Sequence, residues 1–291
     1  MQLSFESITE DPVYLFEKND IHVSVLRLDK IHPVISGNKW FKLRYYLNEA
    51  KDLGKKRVIT FGGAWSNHIV ATAAACQAEG LFSEGIIRGE EPPSRSPALQ
   101  QAEEYGMRLR FISRRDYGEK KIPPALENED YYLINEGGYG KQGVAGAAGI
   151  LQFSGGNFTH CCCAIGTGTM MAGLIKTSPG KQVIGISVLK SNYQLNSDVQ
   201  ALLDTPFNNW QIIHDYHFGG YAKFTQELIG FMNRFYEQTG IPSDFVYTGK
   251  LFYAIDDLSK RGFFPAKSKI LLIHSGGLQG NRSLGKGKLI Y

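Results

Sequence analysis

Three short segments carry residue types that could act together. The first is Ser36-Gly37-Asn38-Lys39-Trp40-Phe41-Lys42, where Lys39 directly follows a Gly-Asn pair at the start of a helical pattern. A cation at a helix N-terminus is electrostatically unfavourable. Burial beside Trp40 and Phe41 would lower the amine pKa, which is what a lysine acting as nucleophile or base requires. The plainer reading, an exposed lysine opening a surface helix, stays open on this segment alone. The second is Gly62-Gly63-Ala64-Trp65-Ser66-Asn67-His68, a glycine pair followed by three adjacent polar groups at a helix start. A helix cap accounts for one of those groups and leaves two unexplained. The third is Gly166-Thr167-Gly168-Thr169-Met170-Met171-Ala172-Gly173, between an apolar run and a helical pattern. Glycines there let the backbone approach an anion, and the free N–H groups of a helix start supply donors. A dinucleotide fingerprint needs Gly-x-Gly-x-x-Gly/Ala and an acidic residue about 20 residues on. Met171 breaks the first requirement, and Val188-Leu189-Lys190 offers no acid for the second. A single-phosphate cradle fits better, with an unliganded βα turn as the alternative.

Strands and helices alternate around these turns. Residues 23–28, 57–61, 84–88, 109–112, 160–165, 182–188 and 269–274 read as strands. Trp40–Leu53, Asn67–Glu79, Pro97–Tyr105, Val144–Phe153, Met170–Lys176, Phe224–Thr239 and Lys250–Lys260 read as helices. Such alternation predicts βαβ units and a parallel sheet, with ligands at the strand ends. The chain has 33 glycines in 291 residues, above the usual ~7 %. They sit mostly at strand ends, so the excess points to a site.

Composition excludes several classes. Lys and Arg number 32 against 28 Asp and Glu, a net +4 without a basic run, so neither nucleic acid nor an anionic membrane is indicated. No apolar stretch approaches the ~18 residues of a membrane span. Residues 1–14 carry Glu6, Glu10 and Asp11 and do not read as a signal peptide. The four cysteines, Cys76 and the adjacent Cys161, Cys162 and Cys163, are poorly spaced for disulfides or zinc and fit a reducing, cytoplasmic setting. His214 and His217 near Asp215 have no further ligand, so no metal is expected.

Five motifs in order resemble the 1-aminocyclopropane-1-carboxylate deaminase / D-cysteine desulfhydrase family: Gly37-Asn38-Lys39, Gly62-Gly63-x-x-Ser66-Asn67-His68, Gly166-Thr167-Gly168-Thr169 through Leu174, Tyr247-Thr248-Gly249-Lys250 and His274-Ser275-Gly276-Gly277. The resemblance runs from about residue 19 to residue 277. It implies a pyridoxal 5'-phosphate enzyme of the tryptophan-synthase-β-like fold (fold type II), an α/β protein with two three-layer αβα domains and mainly parallel sheets. Residues 1–48 and 150–291 would form the large cofactor-binding domain, and 49–149 a smaller inserted one. Lys39 matches the lysine that holds the cofactor as a Schiff base. Asn67 matches the asparagine on the ring hydroxyl, Gly166, Thr167, Gly168, Thr169 and Met170 the phosphate loop, and Ser275 the residue facing the pyridine nitrogen. Ser66 and His68 match residues at the substrate carboxylate and reacting carbon, with Trp65 beside that pocket. Tyr247 matches the active-site tyrosine, and Tyr221 a second one.

The chain departs from the family at Phe41 (usually Arg), Trp65 (usually Gln), Val70 (usually Arg) and Thr169-Met170 (usually Gly-Thr). Ser275 is neutral opposite the ring nitrogen, which makes a weaker electron sink and favours elimination with a good leaving group. Ser-Asn-His in place of Ser-Asn-Gln, and Thr248 in place of a glutamate, favour D-cysteine desulfhydrase-like α,β-elimination to pyruvate, ammonia and sulfide. The alternatives are 1-aminocyclopropane-1-carboxylate deaminase (2-oxobutanoate and ammonia, a C–N hydrolase), a β-replacement synthase, and a non-catalytic nucleotide- or phosphate-binding module. The expected partners are a small amino-acid substrate and a second copy in a homodimer.

Overall fold

The computed structural model describes residues 3–16, 20–127 and 129–291. Among these residues ten strands form two sheets: β1 (Glu10–Pro12), β2 (His22–Arg27), β3 (Arg57–Gly62), β4 (Phe82–Arg88), β5 (Arg108–Ile112), β6 (Tyr132–Ile134), β7 (His160–Ile165), β8 (Gln182–Ser187), β9 (Trp210–Ile213) and β10 (Lys269–His274). The helices are α1 (Asn38–Asp52), α2 (Asn67–Ala78), α3 (Pro97–Glu104), α4 (Arg114–Gly118), α5 (Lys141–Ala148), α6 (Thr169–Lys176), α7 (Leu195–Ala201), α8 (Gln226–Thr239) and α9 (Thr248–Lys260). The larger sheet has the order β1-β2-β10-β7-β8-β9 and the smaller β5-β4-β3-β6. Every pairing is parallel except β1 with β2.

The strand pleat explains the layering. Successive side chains point to opposite faces. In β10, Ile270 and Leu272 enter a core with Phe231 and Phe235 of α8 and Phe252 of α9. Leu271 and Ile273 enter the opposite core with Val144 of α5, Met171 of α6 and Val199 of α7. The cysteine run obeys the same period, Cys162 on the first face and Cys161 and Cys163 on the second. All three thiols are buried, and burial raises their pKa values, that of Cys163 to about 12, so they pack as small apolar groups. In the smaller sheet Val58 faces α1 and α2 through Leu43, Leu47 and Ala75, while Ile59 and Phe61 face Tyr117 of α4. Each sheet thus has helices on both faces, the three-layer arrangement expected of parallel strands. Among the described residues no helix is long and apolar enough to cross a membrane.

The predicted elements recur within one or two residues, with one exception. The helix expected over 144–153 ends at Ala148 and resumes as a 3₁₀ turn at Leu151–Phe153. The sequence reading lacks β1, β6, β9, α4 and α7, each of seven residues or fewer. β1, β6 and β9 each pair with a single neighbour at a sheet edge or end, where no long apolar run is needed.

Where the two sheets meet, α1 lies against α5. A Cβ on Gly146 would come 1.7 Å from the Phe41 carbonyl oxygen, so only glycine lets these backbones approach. Phe41 itself is fully buried and packs edge-on against Phe153 at 5.7 Å, and Val70 is fully buried in α2. Both departures from the family pattern are therefore core positions.

Candidate active site

Apart from Tyr247–Lys250, which opens α9 after α8, the loops around the site leave the C-terminal ends of parallel strands. Gly62–His68 follows β3, 136–140 follows β6, Gly166–Met170 follows β7, 214–222 follows β9 and Ser275–Gly277 follows β10. In α/β folds that edge is where ligands bind.

Lys39 is fixed by the contact between α1 and the loop after β10. Gly37 has φ +63°, and a Cβ there would lie 1.9 Å from the Ser275 carbonyl oxygen. The Asn38 N–H donates to that same oxygen at 3.2 Å. The tie holds the first turn of α1 against buried Ser275 and leaves Lys39 half-buried. The Lys39 ammonium donates to Asn38 Oδ1 at 2.8 Å, and its Nζ lies 5.8 Å from the centre of the Tyr247 ring. The aromatic ring beside the amine is that of Tyr247, since Phe41 turns into the core. Desolvation lowers the Lys39 pKa to about 8, against a smaller opposing pull from Asp244.

That shift has a measurable consequence. Only the unprotonated amine attacks an aldehyde. The rate at which apoprotein captures pyridoxal phosphate should rise about tenfold per pH unit below pH 8 and level off above it, because below its pKa the neutral fraction grows tenfold per unit. Stopped-flow absorbance across pH 6–9.5 checks this, and a rate still climbing tenfold per unit at pH 9.5 contradicts it.

The turn after β7 has the form of an anion cradle. Gly168 caps α6 in a left-handed conformation (φ +78°) with no side-chain cap bond, so the first N–H groups of α6 have no helical acceptor. The Thr167 and Thr169 hydroxyls lie 3.1 Å apart beside them. Positive helix ends and free amides suit a phosphate. A Cβ on Gly166 would approach the Tyr247 hydroxyl to 3.4 Å, so this cradle adjoins the tyrosine that faces Lys39. Met170 also contributes a side chain: its sulfur accepts from Asn38 Nδ2 at 3.3 Å. Asn38 therefore bridges Lys39 and the cradle. These features fit pyridoxal phosphate: an amine of lowered pKa, a phosphate-sized donor set and small residues between them.

Asn67 is buried at the start of α2 and donates from Nδ2 to the Gly277 carbonyl at 3.4 Å. Ser66 caps α2, its Oγ accepting from the Ile69 N–H at 3.4 Å. His68 is buried, and its tautomer follows from its partners. Thr60 Oγ1 donates its one proton to the Ile134 carbonyl at 2.7 Å, so at 2.9 Å from His68 Nε2 it must accept. Nε2 then carries the proton and Nδ1 is a buried acceptor without a hydrogen-bond partner. Burial, then Lys42 and Lys39, keep the His68 pKa well below its ordinary value, so the ring is neutral. Trp65 is 45 % exposed and lines a narrow crevice with Asn67, Gln101, Gln279 and Arg282. It stands at the rim between α3 and residues 278–283.

Tyr247 and Tyr221 meet edge to face at 6.1 Å between ring centres. Burial raises the Tyr247 pKa well above its ordinary range, while Tyr221 stands 45 % exposed at the rim.

Some site residues escape sequence reasoning. Asp244 is fully buried, and its carboxylate accepts from the N–H groups of Val246, Tyr247 and Thr248 and from the Thr248 hydroxyl, at 2.7–3.0 Å. Asp-x-x-Tyr-Thr before a helical run is the available signal, an acidic cap at a helix start. Thr248 is buried and turned into this cap. Lys42, one turn after Lys39, is buried and donates to the Gly137 carbonyl; burial and then Lys39 hold its pKa well down. Its spacing of three from Lys39 places it on the same helix face.

The family model "Pyridoxal-phosphate dependent enzyme" matches residues 14–276. The bifunctional D-cysteine desulfhydrase/1-aminocyclopropane-1-carboxylate deaminase, mitochondrial, of Arabidopsis thaliana is 32 % identical, over 90 % of this chain and 74 % of its own length. The D-cysteine desulfhydrase of Klebsiella pneumoniae subsp. pneumoniae is 25 % identical, over 88 % of this chain and 86 % of its own. The crystal structure of a homologue of 1-aminocyclopropane-1-carboxylate deaminase superposes with a TM-score of 0.82 at 26 % identity, over 94 % of this chain and 90 % of that one.

Proposed function

The chain belongs to the family of pyridoxal-phosphate-dependent enzymes, and we propose that it catalyses α,β-elimination on D-cysteine or a related β-substituted D-amino acid, D-cysteine and water giving pyruvate, ammonia and hydrogen sulfide. Its relatives include both desulfhydrases and deaminases by name. The observation that carries the choice is the state of Thr248 and Asp244. The Thr248 hydroxyl donates to Asp244 at 2.7 Å, and the Asp244 carboxylate already accepts from four donors. No free carboxylate is therefore offered from this turn to protonate a ring nitrogen, and Ser275, the residue assigned to that nitrogen, is neutral. A weak electron sink suits a substrate whose β-substituent leaves readily.

In this reading Lys39, Asn67, Ser275 and the Gly166–Met170 turn hold the cofactor. When bound, the cofactor supplies an aldehyde for the substrate amine and a conjugated ring that draws electron density from the α-carbon. Lys39, its pKa lowered to about 8, takes the α-proton. Asn38 steers its amine through the 2.8 Å bond. Ser66 and His68 orient the substrate. Tyr247 keeps its proton because burial raises its pKa, so it donates to the departing sulfur, with Tyr221 behind it. Trp65 closes the rim of the substrate pocket.

Leaving-group ability tests the choice. Thiolate leaves more readily than hydroxide, so kcat/KM should be about 100-fold higher for D-cysteine than for D-serine, roughly 2.7 kcal/mol of barrier. Pyruvate release from both substrates checks this, and equal or faster turnover of D-serine contradicts it. We also infer that residues 49–149 act as the smaller domain, and that the protein is a homodimer in the reducing cytoplasm. Light scattering at micromolar concentration tests the dimer, and a mass of one chain contradicts it.

A further inference from the structure

Lys250 is a fully buried lysine that the chemistry above does not use. It lies one helical turn after Tyr247, so both point from the same side of the start of α9. A lysine in the first turn opposes the helix dipole and loses its water. Desolvation accordingly lowers its pKa to about 8, with Asp244 pulling the other way. Two acceptors compensate: Nζ donates to the His217 carbonyl and to the Gly220 carbonyl, each at 2.8 Å.

Those carbonyls flank an unusual stretch of backbone. Phe218, Gly219, Gly220 and Ala222 have φ of +50°, +94°, +120° and +53°. Two of these residues have side chains, and each such residue costs of order 1–3 kcal/mol unless its surroundings hold it. The stretch carries Tyr221, whose ring packs edge to face on that of Tyr247 at 6.1 Å. Three local bonds, Gly220 N–H to the His217 carbonyl at 3.0 Å, Gly219 N–H to His217 Nδ1 at 3.0 Å and Lys223 N–H to the Gly220 carbonyl at 3.1 Å, close the turn on itself, and the Phe218 ring packs edge-on against Tyr253 of α9 at 4.9 Å. Lys250 ties it to the helix that also presents Tyr247.

We propose that Lys250 is a positioning residue that clamps the 217–222 loop to α9 and so sets the Tyr221 ring against that of Tyr247. The inference rests on the reading of Tyr221 as an active-site residue only for its effect on rate. The clamp itself has a separate readout.

The experiment compares holoenzyme of the wild type, Lys250→Met, Tyr221→Phe and the double variant. Lys250→Met keeps the apolar stem and removes the donors. Amide hydrogen exchange across residues 217–223 should speed up at least tenfold in Lys250→Met, with exchange elsewhere and cofactor content unchanged. Unchanged exchange in the loop overturns the clamp. With whichever substrate the wild type turns over, Lys250→Met should lower kcat/KM about 100-fold, the order of a 1 Å misplacement. In the Tyr221→Phe background the same change should cost less than twofold, because its effect passes through Tyr221. Fully additive losses overturn the positioning role. A silent Tyr221→Phe, with the loop loosened by Lys250→Met, overturns the role of Tyr221 and leaves the clamp standing. If Lys250→Met does not fold, Gly220→Ala tests the same loop. An L-residue at φ +120° displaces the Gly220 carbonyl without touching Lys250, and the same pattern of exchange and coupling is expected. A normal exchange rate there overturns the proposal.

Discussion

Replacing Lys39 with alanine should remove the covalent hold on pyridoxal phosphate and lower turnover by about 10⁴-fold or more, the scale seen when a nucleophile or base acting as part of a unit is deleted. The argument rests on one side chain in two roles. Lys39 is half-buried next to the Tyr247 ring, with its amine on Asn38 and its pKa lowered to about 8 by desolvation. No nearby lysine can replace it. Lys42 donates to the Gly137 carbonyl from a buried position, and Lys250 is held by the His217 and Gly220 carbonyls. Wild-type holoenzyme treated with borohydride should retain the cofactor through denaturation, on a peptide containing Lys39. Lys39→Ala should lose it on gel filtration in denaturant. A variant still carrying covalently bound cofactor after borohydride would place the attachment on another lysine.

Gly37→Ala should destabilise the folded protein by about 3–5 kcal/mol, combining strain at a positive φ with overpacking against backbone. The new methyl would have to occupy space 1.9 Å from the Ser275 carbonyl oxygen, and neither backbone can retreat easily. Ser275 follows the central strand β10, and Gly37 opens the helix that packs between the two sheets. Relief must come from separating α1 from β10, which moves Lys39 away from Ser275. Thermal and denaturant unfolding check the loss of stability, and cofactor titration should show weakened binding in the fraction that folds. A variant with wild-type stability and affinity would show that this contact does not set the geometry of the site.

The fold was legible wherever apolar periodicity was strong. The central strands β7, β8 and β10 and the amphipathic helices α8 and α9 follow from residue type alone, because both faces of a parallel sheet must be buried. The short edge strands lack that pattern, since they pair on one side only. The site residues with the clearest motifs fall around one edge of the strands: Lys39, Asn67, the Gly166–Met170 turn, Tyr247 and Ser275. What the sequence hides is second partners. Asp244 looks like an ordinary loop acid until the three N–H groups it caps are seen. The tautomer of His68 depends on Thr60, eight residues upstream, giving its proton to β6. Met170 reads as a defect in a phosphate loop, yet its sulfur takes the amide of Asn38. Long-range pairings of this kind leave no periodic trace along the chain.

One measurement addresses the proposed reaction most directly: product analysis of the holoenzyme given D-cysteine or 1-aminocyclopropane-1-carboxylate at equal concentration. A cap that consumes every acceptor of Asp244, with a neutral Ser275 for the ring nitrogen, predicts sulfide and pyruvate in equal amounts from D-cysteine and no more than a trace of 2-oxobutanoate from the cyclopropane acid. Rapid 2-oxobutanoate formation without sulfide from D-cysteine would contradict the account and make the chain a deaminase of the same fold.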